Sequence, residues 1–390
     1  MLSREQIQIK TPEQVRLMRR AGLVVADIHA ALRKAVRAGI TTAELDAVSA
    51  GVIEAAGAHS NFLGYYDYPA TVCISVNEEV VHGIPGERVL ADGDLVTFDC
   101  GAYIVDEDGT QWHGDAAFTT VVGGTYLSEA ARLVDTTTQQ ALWEAIAAVA
   151  RAAAGEGRGR ELCLNAVGDA VEAVVADVAE REGHELGILQ EYVGHGIGTS
   201  MHMAPDVLNY SVKRRGPRLR PGMVLAIEPM LTAGSPATRE LDDGWTVVTR
   251  DGSHAAQWEH TVAIVPGGVW VLTAPDGGAE GLAPHGIEPK ALDCGAEAGT
   301  AAGVRPRRRT RLRCVRKHRV IAPSGMVEPG PSAVKLSAGR ASVDDACPHT
   351  AFTTLATGTC GGPAQWRPRL PGGDVVGVNS SEKAPMEEHG

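Results

Sequence analysis

Apolar positions along the chain switch between two periods. Val15, Met18, Val25 and Ile28 recur at helical spacing behind Thr11-Pro12-Glu13-Gln14, where Thr11 can cap, Pro12 suits the first turn and Gln14 closes a capping box. A second capping box, Thr41-Thr42-Ala43-Glu44, precedes Leu45, Val48 and Val52. Residues 71–76 and 94–105 then read as strands, the latter broken by Gly101, and residues 118–122 continue that pattern. Ser128 opens a long helix through Leu133, Leu142, Ile146 and Val149; residues 161–182 form another, stopped by Gly183. Residues 223–227, 245–249 and 260–265 are three further strands. The order is helix, helix, strands, then the same again. It predicts an α+β architecture with two similar halves, each an antiparallel sheet covered by helices.

From residue 284 the periodicity disappears. Gly, Pro, Ala and Ser dominate, and Arg305-Pro306-Arg307-Arg308-Arg309 starts a basic cluster reaching Arg319. This low-complexity text predicts one domain over residues 1–283 and a basic, disordered tail over 284–390. Charge agrees: of the net −12 of the 390 residues, the first 283 carry −17 and the remainder +5. A solvated tail accounts for the cluster, with an RNA or acidic partner as its functional alternative.

Composition removes several classes. Aromatic residues are 4%, against modules that stack nucleobases. No apolar run approaches the ~18 residues of a membrane span, and the polar start, Met1-Leu2-Ser3-Arg4-Glu5-Gln6, is unlike a signal peptide. A cytoplasmic protein is expected. Seven cysteines without a Cys-x-x-Cys pair argue against a disulfide framework or a thiolate zinc site.

Four islands read as chemical. His82 lies in Val81-His82-Gly83-Ile84-Pro85, a shaped turn that can aim an imidazole. Asp99 interrupts an apolar strand, and a buried carboxylate is costly unless paired or bound to metal. Asp115, in His113-Gly114-Asp115, precedes the next strand, and a hairpin would bring the two acids to adjacent positions. His195 sits within Gly194-His195-Gly196-Ile197-Gly198, followed by His202, where alternating glycines let backbone pack closely round one ring. Glu228 ends an apolar strand and Glu259 begins another. Each alone has an ordinary structural explanation. Together Asp99, Asp115, Glu228 and Glu259 carry four negative charges, which two divalent ions would neutralise. Carboxylate and imidazole ligands suit Mn, Fe, Co or Zn. Two ions roughly 3.5–4 Å apart lower the pKa of a shared water and clamp a tetrahedral transition state.

The same text resembles the type I methionine aminopeptidases of the pita-bread metallopeptidase fold. It does so at Cys73-Ile74-Ser75-Val76-Asn77-Glu78, His82-Gly83-Ile84-Pro85, Asp92-Gly93-Asp94, Asp99, His113-Gly114-Asp115, Gly194-His195-Gly196-Ile197-Gly198, Ile227-Glu228-Pro229-Met230 and Glu259-His260-Thr261. Resemblance spans about residues 7–275. It implies Asp99 as a ligand of one metal, Asp115 and Glu259 as bridging carboxylates, and His195 and Glu228 as ligands of the other. Glu228 would also move a proton of the nucleophilic water, and His82 and His202 would contact substrate and transition state. The methionine pocket would comprise Phe62, Tyr65, Tyr68, Cys73, Met201 and Trp245, soft and apolar walls that suit a thioether.

The chain departs from the family in a longer Asp99–Asp115 segment, in Met201 where an aromatic residue is common, and in Asp67 near the pocket mouth. The implied activity is removal of the initiator methionine from nascent polypeptides whose second residue is small. The enzyme would be a monomer, with the ribosome as a possible partner and neither membrane nor specific nucleic acid. Two alternatives stand beside it. One is an Xaa-Pro aminopeptidase of the same fold, which usually carries an extra N-terminal domain that text beginning near residue 7 leaves no room for. The other is a non-catalytic pita-bread protein that binds RNA or ribosomes, a class that loses the metal ligands this chain keeps.

Overall fold

A computed structural model describes residues 6–292. The tail expected from residue 284 therefore lies outside the described residues beyond position 292.

The first helix, α1 (Pro12–Ala35), begins at the Thr11 capping box, in which Thr11 Oγ1 accepts from Gln14 N and Gln14 Oε1 from Thr11 N. The second, α2 (Thr42–Ala55), begins at the Thr41/Glu44 box. Next come β1 (His59–Ser60), β2 (Val72–Val76), β3 (Glu79–Val81), β4 (Leu95–Val105) and β5 (Gln111–Val121). The second half repeats the order. Its helices are α3 (Glu129–Ala153), capped by Ser128, and α4 (Asn165–Glu182). Its strands are β6 (Gly187–Ile188), β7 (Gly194–Gly196), β8 (Met203–Val207), β9 (Val224–Ile227), β10 (Met230–Thr232), β11 (Thr238–Glu240), β12 (Val247–Thr249), β13 (Ala255–Gln257), β14 (His260–Val265) and β15 (Gly268–Val271).

All strand pairings are antiparallel. In the first large sheet β5 lies along one edge of β4, while β2 and β1 follow each other along the opposite edge. The second runs β15-β14-β9-β7-β8, and two three-stranded sheets, β13-β10-β6 and β11-β12-β3, complete the set. One core packs α1 and α2 against the first sheet through Val25, Ile28, Leu45, Phe98 and Phe118. A second packs α3 and α4 against the other through Leu142, Ile146, Val171, Leu225 and Ile264.

Three expectations are corrected. Gly101 does not break its strand, since β4 runs unbroken for 11 residues. A Cβ at position 101 would instead overlap the Asn61 side chain packed there. Asp115 lies inside β5 rather than before it. The helix expected from residue 161 starts at Asn165, because Cys163 is extended and bridges Arg218 while Leu164 N bonds Pro217 O. Past residue 283, Ile287 and Leu292 lie against the two cores, and Lys290 N donates to Val269 O.

Candidate metal centre

The two large sheets meet where the acidic residues lie. On the β4–β5 ladder Asp99 faces Ala117 and Gly101 faces Asp115, so the two carboxylates lie diagonally on one face. The added residues of this segment fall in the hairpin turn, where the Asp106 carboxylate accepts from Asp108 N, Thr110 N and Trp112 Nε1, and the ladder keeps its register down to Val105–Gln111. His195 is the middle residue of β7, opposite Ala226 of β9. Its neighbour Gly194 has no room for a side chain against the carbonyl of Ala226, nor Gly196 against Ala204. Glu228 follows the last residue of β9, and Glu259 precedes the first of β14, which pairs with it as His260–Ile227. Glu259 N donates to Ala117 O (2.9 Å), and Thr261 Oγ1 bonds both Asp115 N (3.0 Å) and Asp115 O (2.7 Å). These bonds join the sheets at the carboxylates.

Asp115, His195 and Glu259 each offer a ligand atom within 4.8 Å of the others. His195 Nε2 lies 3.5 Å from Glu228 Oε1. Burial pushes Asp99 up to about 7. Burial and then neighbouring carboxylates hold Asp115, Glu228 and Glu259 well above the carboxylate range. Burial also lowers His195 to about 4, leaving its ring neutral and able to ligate. Asp99 Oδ1, Asp115 Oδ1 and Glu259 Oε1 are buried with no hydrogen-bond partner. Four acids round an imidazole with orphaned oxygens are untenable as anions without cations, so the residues fit a metal site.

Beside these acids Phe62, Tyr68, Ala70, Cys73 and Met201 form a small buried cluster, with Tyr65, Ile84 and Trp245 against it. All six expected pocket residues are thus brought together. Cys73 pairs with Asp99 across β2 and β4, so the cluster adjoins the carboxylates directly. His202 stands 4.4 Å from the His195 ring, and its Nδ1 meets Tyr65 Oη at 3.1 Å. His82 is half-buried at φ 61, an uncommon conformation for a residue other than glycine, with its ring edge-on to Tyr192 and Trp245. Burial lowers it to about 4. Asp67 is exposed, also at positive φ.

The sequence reading missed an outer ring of polar residues. Gln257 Nε2 donates to Glu228 Oε2 (3.2 Å), while its backbone is tied to Thr119 Oγ1 from both N and O. Asn209 Nδ2 donates to Glu228 O (2.9 Å). Buried His113 meets Asn61 Oδ1 at 2.8 Å. The nearest sequence signal was proximity: Gln257 and His113 each lie two residues from a ligand candidate.

The model of metallopeptidase family M24 matches residues 16–266. A methionine aminopeptidase 1 of Bacillus subtilis is 40% identical over 264 residues, covering 68% of this chain and 98% of that relative. One from Mycobacterium tuberculosis is 46% identical over 257 residues, covering 66% and 91%. Among solved structures, a methionine aminopeptidase from Thermotoga maritima superposes with a TM-score of 0.61 at 34% identity, covering 69% of this chain and 99% of its own.

Proposed function

The chain belongs to metallopeptidase family M24, among its methionine aminopeptidases with their pita-bread fold, and from that premise we propose that it hydrolyses the first peptide bond of new polypeptides to release the initiator methionine. The observation that carries the reading is the contact between two built features. A cradle of four carboxylates and His195 adjoins, through the Cys73–Asp99 pair, a soft apolar pocket sized by Phe62, Tyr68 and Met201.

In this reading Asp99 would hold one divalent ion and His195 with Glu228 a second, with Asp115 and Glu259 shared between them; Mn, Fe, Co and Zn would all suit the ligand set. Such ions, when bound, supply Lewis acidity and a water of lowered pKa. The chain's residues do the rest. Phe62, Tyr65, Tyr68, Cys73, Met201 and Trp245 enclose the methionine side chain, whose thioether makes favourable contacts with aromatic edges. Glu228, its carboxylate held by Gln257 on Oε2 and facing His195 with Oε1, would take the proton that the attacking water gives up and return it to the leaving amine. Tyr65 Oη and His202 Nδ1 share a hydrogen bond; with the hydroxyl as its donor, the neutral imidazole would carry its proton on Nε2, where it can donate to the amide oxygen as charge develops. His82 lines the same space and steadies the substrate backbone.

The substrates are nascent chains whose second residue is small, met in the cytoplasm and at the ribosome. Every proposed site residue comes from one chain, so a monomer suffices. The catalytic domain drawn over residues 1–283 is proposed to take in the packed residues up to Leu292 as well, with the rest of 284–390 a basic appendage. Among the described residues no helix is long and apolar enough to cross a membrane.

The test is release of free methionine from a Met-Ala peptide with Mn, Fe or Co added. Turnover that needs metal and far exceeds that on an Xaa-Pro peptide is expected. Preference for the Xaa-Pro peptide, or no turnover with any of these metals, would overturn the reading.

A further inference from the structure

The wall of the pocket belongs to an irregular segment, residues 61–68, that must keep its place without strand pairing. It has left-handed residues at Gly64, Tyr66 and Asp67, and Leu63 and Tyr66 are exposed. Two anchors hold it. At the far end Tyr68 Oη donates to Gly83 O (2.9 Å) and Val72 O (3.3 Å), tying the ring to β2 and the His82 turn. At the near end is Asn61, 6% exposed and immediately before Phe62.

Asn61 bonds both strands that carry the acids. Its backbone N donates to Gly101 O (3.0 Å) on β4, two residues past Asp99. Its Nδ2 donates to Gly114 O (3.0 Å) on β5, one residue before Asp115. That donation turns Oδ1 toward His113 Nδ1 (2.8 Å), so the ring nitrogen is the donor there. His113 N in turn donates to Gly198 O (3.0 Å), in the turn that leads to Met201 and His202. Gly101 is the residue that makes room: a Cβ there would overlap the Asn61 side chain. Ser60 Oγ completes the anchor, donating to Thr71 O and accepting from Phe62 N and Leu63 N.

We infer that Asn61 is a positioning residue that sets the methionine pocket in register with the carboxylate cradle, by bonding the Phe62–Tyr68 wall to the backbone beside Asp99 and Asp115. The inference rests on the function proposed above. A side chain seated against Phe62 and Tyr68 then places the scissile amide at a fixed distance from the acids, because pocket and acids share one backbone joint. Loosening the joint weakens capture of the substrate more than the hydrolytic step.

Two variants test this. Asn61→Ala removes both side-chain bonds and leaves a gap. Asn61→Leu keeps the volume and makes neither bond. Each would be purified with the full chain, its melting temperature and Mn affinity by calorimetry recorded, and KM and kcat measured on a Met-Ala peptide. We expect both variants to raise KM about tenfold, as loss of buried hydrogen bonds implies, with a smaller change in kcat and Mn affinity near wild type. Normal KM in Asn61→Leu would show that the side chain acts by volume alone and overturn the inference. So would a fall in kcat with KM unchanged. If Asn61→Ala does not fold, Asn61→Leu decides. The wild type's own release of methionine tests the preceding reading, whereas the ratio of variant to wild type tests this one.

Discussion

At the residue scale the site divides into groups that hold charge and groups that hold those groups. Asp115 and Glu259 bond each other's sheets through the backbone as well as offering carboxylates, so removing either side chain leaves the joint at Thr261 and Ala117 intact. Asp115→Ala and Glu259→Ala should therefore fold, bind Mn more weakly and lose about a hundredfold or more in kcat/KM, at least the effect typical of outer-shell partners. Near-normal turnover of either at saturating Mn would contradict the bridging roles. Gln257→Ala acts one shell out. It frees Glu228 Oε2 and should cost about 10–100-fold in metal affinity or activity, read from Mn titrations of turnover. The two kinds of residue were not equally legible. Asp99 and Glu228 announce themselves because an acid amid or at the end of an apolar strand has a desolvation cost that invites a reason. Asn61 and Gln257 are ordinary polar residues in the sequence, and only the meeting of β5 with residue 61, or of β13 with the residue just past β9, gives them partners.

At the element scale the helices carried their own punctuation, and the strands did not. Capping at Thr11, Thr41 and Ser128 is local chemistry, readable within four residues. The apparent break at Gly101 and the early start of α4 were misread because each is decided by a distant partner, Asn61 in one case and residues 217–218 in the other. A related dependence on small residues governs how α1 sits on the sheets. A Cβ at Gly22 would run into the carbonyl of Leu272, and one at Gly114 would meet Gly22 N at 2.8 Å, so helix and strands touch backbone to backbone. Arg19, one turn earlier, donates to the carbonyls of Val271, Leu272, Ala274 and Pro275, fixing the same crossing. Neither neighbour at Gly22 is a flexible side chain that can yield. Gly22→Ala should thus destabilise by roughly 1–3 kcal/mol, the usual cost of overpacking. Thermal unfolding would show it as a melting temperature several degrees lower, and an unchanged one would mean that the crossing gives way freely.

At the scale of the whole molecule two boundaries matter, one of chain and one of charge. The domain boundary drawn at residue 283 cuts off residues whose contacts are structural: Ile287, Leu292 and the Lys290–Val269 bond. A chain ending at 292 should keep its melting temperature and turnover, and one ending at 283 should melt several degrees lower; equal melting would restore the earlier boundary. Charge links the centre to stability across the entire domain. An unfolded Asp or Glu titrates near 4. In the metal-free fold burial raises Asp99 to about 7, and burial with neighbouring carboxylates holds Asp115, Glu228 and Glu259 well above the carboxylate range. A group whose folded pKa is raised contributes stability below its unfolded pKa and loses it as pH climbs through the folded value. Metal-free protein should therefore weaken between pH 4 and pH 7 and beyond. Divalent ions bind the deprotonated acids, so they compete with protons and stabilise most where protons are scarce. His195, lowered to about 4, is neutral over all but the acid end of this window and does not oppose them there. The difference in melting temperature between Mn-loaded and chelator-treated protein should accordingly widen from pH 5.5 to pH 7.5. Scanning calorimetry at matched ionic strength measures it directly, and a difference that stayed flat or shrank would mean that the four buried acids are not what the metal neutralises.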